Sequence, residues 1–88
     1  MSPEAWTLPW EEAREGLLVH RDRRVVYLNP AAAELLAVDR EKVRGLPLIL
    51  ALRDHRLEAL ALKGGEAVLD VRGRVLAARA RPGLLYLL

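Results

Sequence analysis

The sequence contains no cysteine and no phenylalanine, and aromatic residues make up only 5% of its 88 positions. Without cysteine the chain can form no disulfide, offer no thiolate to a metal and attach no cofactor through sulfur. Two tryptophans and two tyrosines are its only aromatic side chains, so it has little with which to line a flat ring system. The core must therefore be built from Leu, Val and Ala.

Groups that carry out catalysis are also scarce. Serine and threonine occur once each, as Ser2 and Thr7, and the acidic residues stand where they cap helices or face solvent. The sequence shows no nucleophile with a base, no carboxylate pair and no cluster of metal ligands. We therefore expect a domain that is not an enzyme and holds no metal.

Long apolar runs are missing as well. Arg or Gly interrupts every run well before the roughly 18 residues that a membrane helix needs, and the N-terminus has no signal-peptide pattern. We expect no membrane insertion and a cytoplasmic location. Charges nearly balance at +2, and acids stand between the arginines. Because no aromatic platform or Gly-rich phosphate loop accompanies these arginines, we expect no binding to nucleic acid.

The most informative stretch spans residues 15–36. Two short strands, over residues 16–20 and 24–28, are joined by a charged turn and followed at once by a helix. Asn29 can cap this helix, Pro30 suits its first position, and the three alanines that follow favour its continuation. The stretch therefore predicts a hairpin that leads directly into a helix. Before it, we expect a helix over residues 9–14.

Further helices follow in the middle of the chain. Asp39 predicts a cap for a second helix over residues 40–44, which Gly45 would end in a left-handed conformation. Residues 46–52 read as an apolar connector. Asp54 then predicts the cap of a third helix that continues to about residue 63, where two glycines follow.

From residue 66 the apolar pattern changes to a period of two. It predicts a hairpin of residues 66–71 and 74–80, with Glu66 opposite Arg79 and Leu69 opposite Leu76. Leu69 and Leu76 would face inward. Residues 84–88 are apolar at every position, which is typical of a central strand covered on both faces.

This order of elements resembles a PAS domain. The resemblance rests on a strand that ends in Asn29-Pro30, on the Ala-Ala-x-Glu-Leu-Leu helix, and on the run Gly45-Leu46-Pro47, and it spans roughly residues 9–88. It implies an α+β fold, a five-stranded antiparallel sheet with short helices packed on one face and an N-terminal helical cap. Residues 1–14 would form the cap segment and residues 15–88 the PAS domain, with the fifth strand central.

The resemblance implies a sensory or interaction module in signal transduction. We expect the regulatory part of a two-component sensor histidine kinase that feeds a phosphorelay, a homodimer joined to a kinase or output domain. The stretch from Gly45 to Leu60 looks most like phosphate-regulon-type sensors. PAS sensors commonly continue after the last strand with a short Asp-x-Thr type motif that leads into a coiled coil, and the sequence lacks this motif. We therefore expect a fragment, or an output that lies elsewhere. The abundance of Arg and the absence of Gln suit a thermophile.

A ligand would lie between the third helix and the sheet. We expect no cofactor, and either a small apolar ligand or a filled core. A noncovalent haem or flavin is the alternative, with His55 as haem ligand because some PAS domains use a histidine on this helix; His20 reads as a strand-end residue. The pocket candidates are Leu28, Leu36, Leu50, Leu57, Leu60, Leu69 and Leu76.

A dimer interface is the second candidate site. Trp6 and Trp10 precede the first strand, and they either cover the domain's own sheet or contact a partner chain. The outward face of the last hairpin carries Val68, Val75 and Ala77, which completes a set of five candidates. A pure dimerisation domain with no ligand is therefore an alternative function.

Overall fold

A computed structural model describes residues 5–88; the first four residues of the predicted cap segment lie outside the described part. A 3-10 helix at Ala5–Thr7 leads into the first α-helix. The elements then follow in this order: α1 (Leu8–Glu11), β1 (Gly16–Arg21), β2 (Arg24–Leu28), α2 (Pro30–Leu36), α3 (Arg40–Val43), α4 (Leu48–Leu52), α5 (His55–Lys63), β3 (Gly65–Val71), β4 (Arg74–Arg81) and β5 (Leu84–Leu87).

The five strands form one antiparallel sheet in the order β2-β1-β5-β4-β3. The central position predicted for the last strand is confirmed. Leu85 and Leu87 of β5 are fully buried on the face that the helices cover, whereas Tyr86 points to the opposite face. A strand covered on both sides needs apolar residues throughout, and this explains the run over Leu84–Leu87. Leu88 follows the strand and is 70% exposed.

The register of the β3–β4 hairpin also agrees with the sequence. Glu66 lies opposite Arg79 and Leu69 opposite Leu76, as predicted. The two-residue turn Arg72-Gly73 has both φ angles positive, at 51° and 82°, which matches the twist of the flanking strands. Register and turn together fix which side chains of β3 and β4 face the helices.

Helices α2 to α5 lie on one face of the sheet, which we call the inner face. One apolar cluster fills the space between them, and its largest members are leucines with almost no exposed surface. They are Leu18, Leu76, Leu85 and Leu87 from the strands and Leu36, Leu48, Leu52 and Leu57 from the helices. The opposite, outer face carries the segment that precedes β1.

Two sequence predictions were wrong. The apolar connector contains a helix, α4, because Leu48, Ala51 and Leu52 all turn into the core. Helix α1 ends at Glu11 rather than near residue 14, since the Trp10 carbonyl accepts a hydrogen bond from the Asn29 side chain and the chain turns into β1. None of the helices over residues 5–88 is long and apolar enough to cross a membrane.

Candidate functional site

The predicted ligand-pocket residues fall into two groups. Four are buried in the apolar cluster and two are packed against it. Leu50 is different: it is 52% exposed on the outer side of α4 and does not belong to the cluster. The six that come together are Leu28, Leu36, Leu57, Leu60, Leu69 and Leu76.

Two concave regions lie on the outer face of the sheet. One, of about 520 Å³, extends over β3, β4 and β5. The other, of about 490 Å³, lies beside the N-terminal segment at the opposite end of β1. The inner face is occupied by leucine side chains, so a ligand there would have to separate them.

The Asn29 side chain makes four hydrogen bonds and is fully buried. Its Oδ1 accepts hydrogen bonds from the Ala32 N–H at 2.9 Å and the Leu17 N–H at 2.8 Å. Its Nδ2 donates to the Trp10 carbonyl at 2.8 Å and to the Glu15 carbonyl at 2.9 Å. The side chain therefore caps α2, as predicted, and also ties this helix to β1 and to the N-terminal segment.

A second connection runs around the β2 edge of the sheet. The Tyr27 hydroxyl donates to the Glu11 carboxylate, which also accepts a hydrogen bond from Arg40 at 2.8 Å. Arg40 donates in turn to the Leu28 carbonyl at 2.8 Å, and the Trp6 ring meets the Tyr27 ring edge-on at 5.5 Å. The N-terminal segment is thus bonded to β2 and α3 as well as to α2.

This environment shifts two acid–base equilibria. The hydrogen bond from Tyr27 and the charge of Arg40 hold the pKa of Glu11 below its usual range, against an opposing effect of burial. Burial, the hydrogen bond to Glu11 and the charge of Glu11 raise the pKa of Tyr27 to about 12. Folding therefore favours an ionised Glu11 and a neutral Tyr27.

The raised pKa of Tyr27 predicts a loss of stability in alkali. Because the folded chain holds the phenol proton more tightly than the unfolded chain, this contribution is present below pH 10 and is lost as the pH rises towards about 12. The absorbance of phenolate near 295 nm, taken as wild type minus Tyr27→Phe, should titrate with a midpoint near 12. A midpoint near the ordinary value of 10 would contradict the bond to Glu11.

The dimer-interface candidates lie on the outer face. Val68 and Val75 are 70% and 67% exposed, and Ala77 is exposed between them. Both tryptophans contact tyrosines of the sheet, Trp6 on Tyr27 and Trp10 on a ring of β5 at 5.9 Å. The tryptophans thus cover the domain's own sheet, while the valines face solvent.

The two histidines lie in different surroundings. His55 is exposed at the start of α5. His20 lies on the inner side of a β-bulge, where its ring bonds to the backbone of Ala61 and its Nε2 is buried without a hydrogen-bond partner in residues 5–88. Burial lowers the pKa of His20 despite that bond.

Three arginines donate hydrogen bonds to carbonyls in the last turn of α2, and the sequence did not indicate these bonds. Arg53 and Arg72 both donate to the Leu36 carbonyl at the end of α2, at 3.3 and 2.8 Å, and Arg74 donates to the Glu34 carbonyl at 3.2 Å. Cations suit the C-terminal end of a helix because its free carbonyls carry partial negative charge. The separations along the chain are too long for any local pattern to reveal these bonds.

No family model and no curated protein matches the chain. Solved structures do match. The PAS domain of nitrogen regulation protein NR(II) from Vibrio parahaemolyticus is 20% identical, with a TM-score of 0.51, over 99% of this chain and 94% of that one. The photoactive yellow protein domain from the sensor histidine kinase Ppr of Rhodospirillum centenum is 15% identical, with a TM-score of 0.55, over 92% and 88%.

A domain of an HTR-like protein from Haloarcula marismortui is similar as well, with 15% identity and a TM-score of 0.54 over 85% of this chain and 94% of that one. All these structures match over most of their own length. The five-stranded antiparallel sheet and the short helices agree with the PAS fold that the sequence pattern indicated. The chain therefore has the PAS fold.

Proposed function

We propose that this chain is a sensory or interaction domain in signal transduction, the regulatory module of a two-component sensor histidine kinase. The names of two similar structures support this proposal, since one is part of the sensor histidine kinase Ppr and another part of a sensory box sensor histidine kinase/response regulator from Geobacter sulfurreducens. The second is 17% identical, with a TM-score of 0.50, and matches 96% of this chain and 89% of that one.

The Asn29 junction is the observation that carries the mechanism. Helix α2 packs against the leucine cluster through Leu36, and Asn29 at its start holds the carbonyls of Trp10 and Glu15. A ligand that entered the cluster would displace α2 and, through Asn29, the N-terminal segment on the outer face. It would shift the balance between two states only through a different affinity for each.

In this proposal the signal is a small apolar molecule. The close packing of the leucines, by contrast, favours a second function that needs no ligand. A domain whose core is filled would act by dimerisation alone. Mass spectrometry under native conditions, with an absorption spectrum on the same sample, separates the two. Extra mass supports the ligand sensor, and visible absorbance would identify a bound chromophore such as haem or flavin. An unliganded dimer supports the dimerisation domain, and an unliganded monomer contradicts both.

The proposed homodimer uses the exposed valines of the outer face. Val68→Glu and Ala77→Glu would each bury a carboxylate without a partner in the interface, which opposes association. We expect both variants to be monomers at concentrations where the wild type is a dimer, as measured by analytical ultracentrifugation. Leu62→Glu, at an exposed position of α5 on the other side of the molecule, is the matched control and should stay dimeric. Dimers of the two outer-face variants would contradict this interface.

A further inference from the structure

The cavity of about 490 Å³ beside the N-terminal segment, here called the outer-face cavity, has an apolar floor and an aromatic wall. Val19, Val26 and Leu84 form the floor, and Trp6 and Tyr27 form the wall. The Trp6 side chain is 49% exposed although it contacts Tyr27, so apolar surface remains open in the concavity. This volume is in the range of small-molecule sites.

Two arginines, Arg21 and Arg44, also line the outer-face cavity, and none of the lining residues within the described part of the chain, residues 5–88, is acidic. Within residues 5–88, neither guanidinium group makes a hydrogen bond or an ion pair. Arg44 interacts electrostatically with Glu11, but that carboxylate is already bonded to Tyr27 and Arg40. The cavity therefore combines apolar walls with unbalanced positive charge.

We propose that the outer-face cavity binds a small amphipathic anion, a carboxylate attached to an aliphatic or aromatic hydrocarbon group. The hydrocarbon group would cover Trp6 and Val26, and the carboxylate would accept charge-assisted hydrogen bonds from Arg21 and Arg44. This site is separate from the leucine cluster of the proposed sensor function. Its occupant would contact the N-terminal segment directly, without passing through α2.

Octanoate and anilinonaphthalene sulfonate are suitable probes, and octanol is the neutral control. In the Trp10→Phe variant the only tryptophan is Trp6, so its fluorescence reports on the cavity. We expect saturable binding of both anions and at least about tenfold weaker binding of octanol, because octanol forms no charge-assisted bond. In NMR spectra of the wild type, the amides of Val26, Gly83 and Leu84 should shift. The NMR test also applies if Trp10→Phe folds poorly.

A matched pair of double variants tests the arginines. Arg21→Gln with Arg44→Gln should weaken octanoate binding by about tenfold or more. Arg14→Gln with Lys42→Gln removes the same charge outside the cavity and should leave binding unchanged. Equal weakening in both pairs, equal binding of octanol, or amide shifts confined to the leucine cluster would overturn the proposal. A fluorescence change that follows dimerisation instead of octanoate would assign the cavity to a second copy of the chain.

Discussion

Replacement of Asn29 by alanine should destabilise this chain more than the loss of any exposed helix cap. Asn29→Ala leaves the N–H groups of Leu17 and Ala32 and the Glu15 carbonyl without this partner. It also removes one of the donors to the Trp10 carbonyl, which still accepts from the backbone N–H groups of residues 12 and 13. A buried polar group that loses its partner costs about 1–3 kcal/mol. We expect the free energy of unfolding, measured with urea, to fall by about 3 kcal/mol or more.

Asp39→Ala is the matched control for this measurement. Asp39 also caps a helix, but it is exposed, and within residues 5–88 its side chain bonds only to the Glu41 N–H at 2.9 Å. Its loss should cost about 1 kcal/mol. Similar losses in the two variants would mean that Asn29 acts as a helix cap alone, and the proposed connection between α2 and the N-terminal segment would then be wrong.

A second large loss of stability is expected when Gly16 is replaced, because β1 passes under the start of α2 at this residue. A Cβ atom there would lie 2.9 Å from the Cα and 3.1 Å from the backbone nitrogen of Ala32. Backbone atoms cannot rotate away, so α2 would have to move off the sheet and strain the Asn29 bonds. We expect Gly16→Ala to lower the free energy of unfolding by about 2–3 kcal/mol.

Gly45→Ala provides the comparison, since it adds the same methyl group where, apart from the two chain neighbours, no heavy atom of the described residues lies within 4 Å. Its cost should be limited to the strain of a positive φ, about 1–2 kcal/mol. Thermal and urea unfolding of both variants would measure these two losses of stability. A Gly16→Ala protein as stable as the wild type would show that α2 does not approach β1 so closely.

Local patterns predicted much of this fold. The cap at Asn29, the hairpin register of Glu66 with Arg79 and the central fifth strand all depend on neighbouring residues or on a simple period, and all were confirmed. Helix α4 was missed because Pro47 gives no side-chain cap and a short apolar run has no period that separates a helix from a connector. The end of α1 was missed for a different reason, since a side chain from the β2–α2 junction determines it.

The candidate site was harder to predict than the fold. Six of the seven pocket leucines come together, but Leu50 points outward because the connector containing it is helical. The bonds of Glu11 to Tyr27 and Arg40 join residues that are far apart in sequence. The outer-face cavity is formed by four separate stretches of chain, at residues 6–7, 19–27, 44 and 82–84, so no local sequence pattern indicates that its two arginines lie together.

The central position of β5 determines the order in which this sheet can form during synthesis. The β1–β2 and β3–β4 hairpins leave the ribosome first, and only β5 joins them, through β1 on one side and β4 on the other. Until Leu84–Leu87 emerges, two apolar hairpins each have an unpaired inner edge. Such edges are prone to pair with other nascent chains. A chain that ends before Leu84 should therefore aggregate more than the same chain with β5.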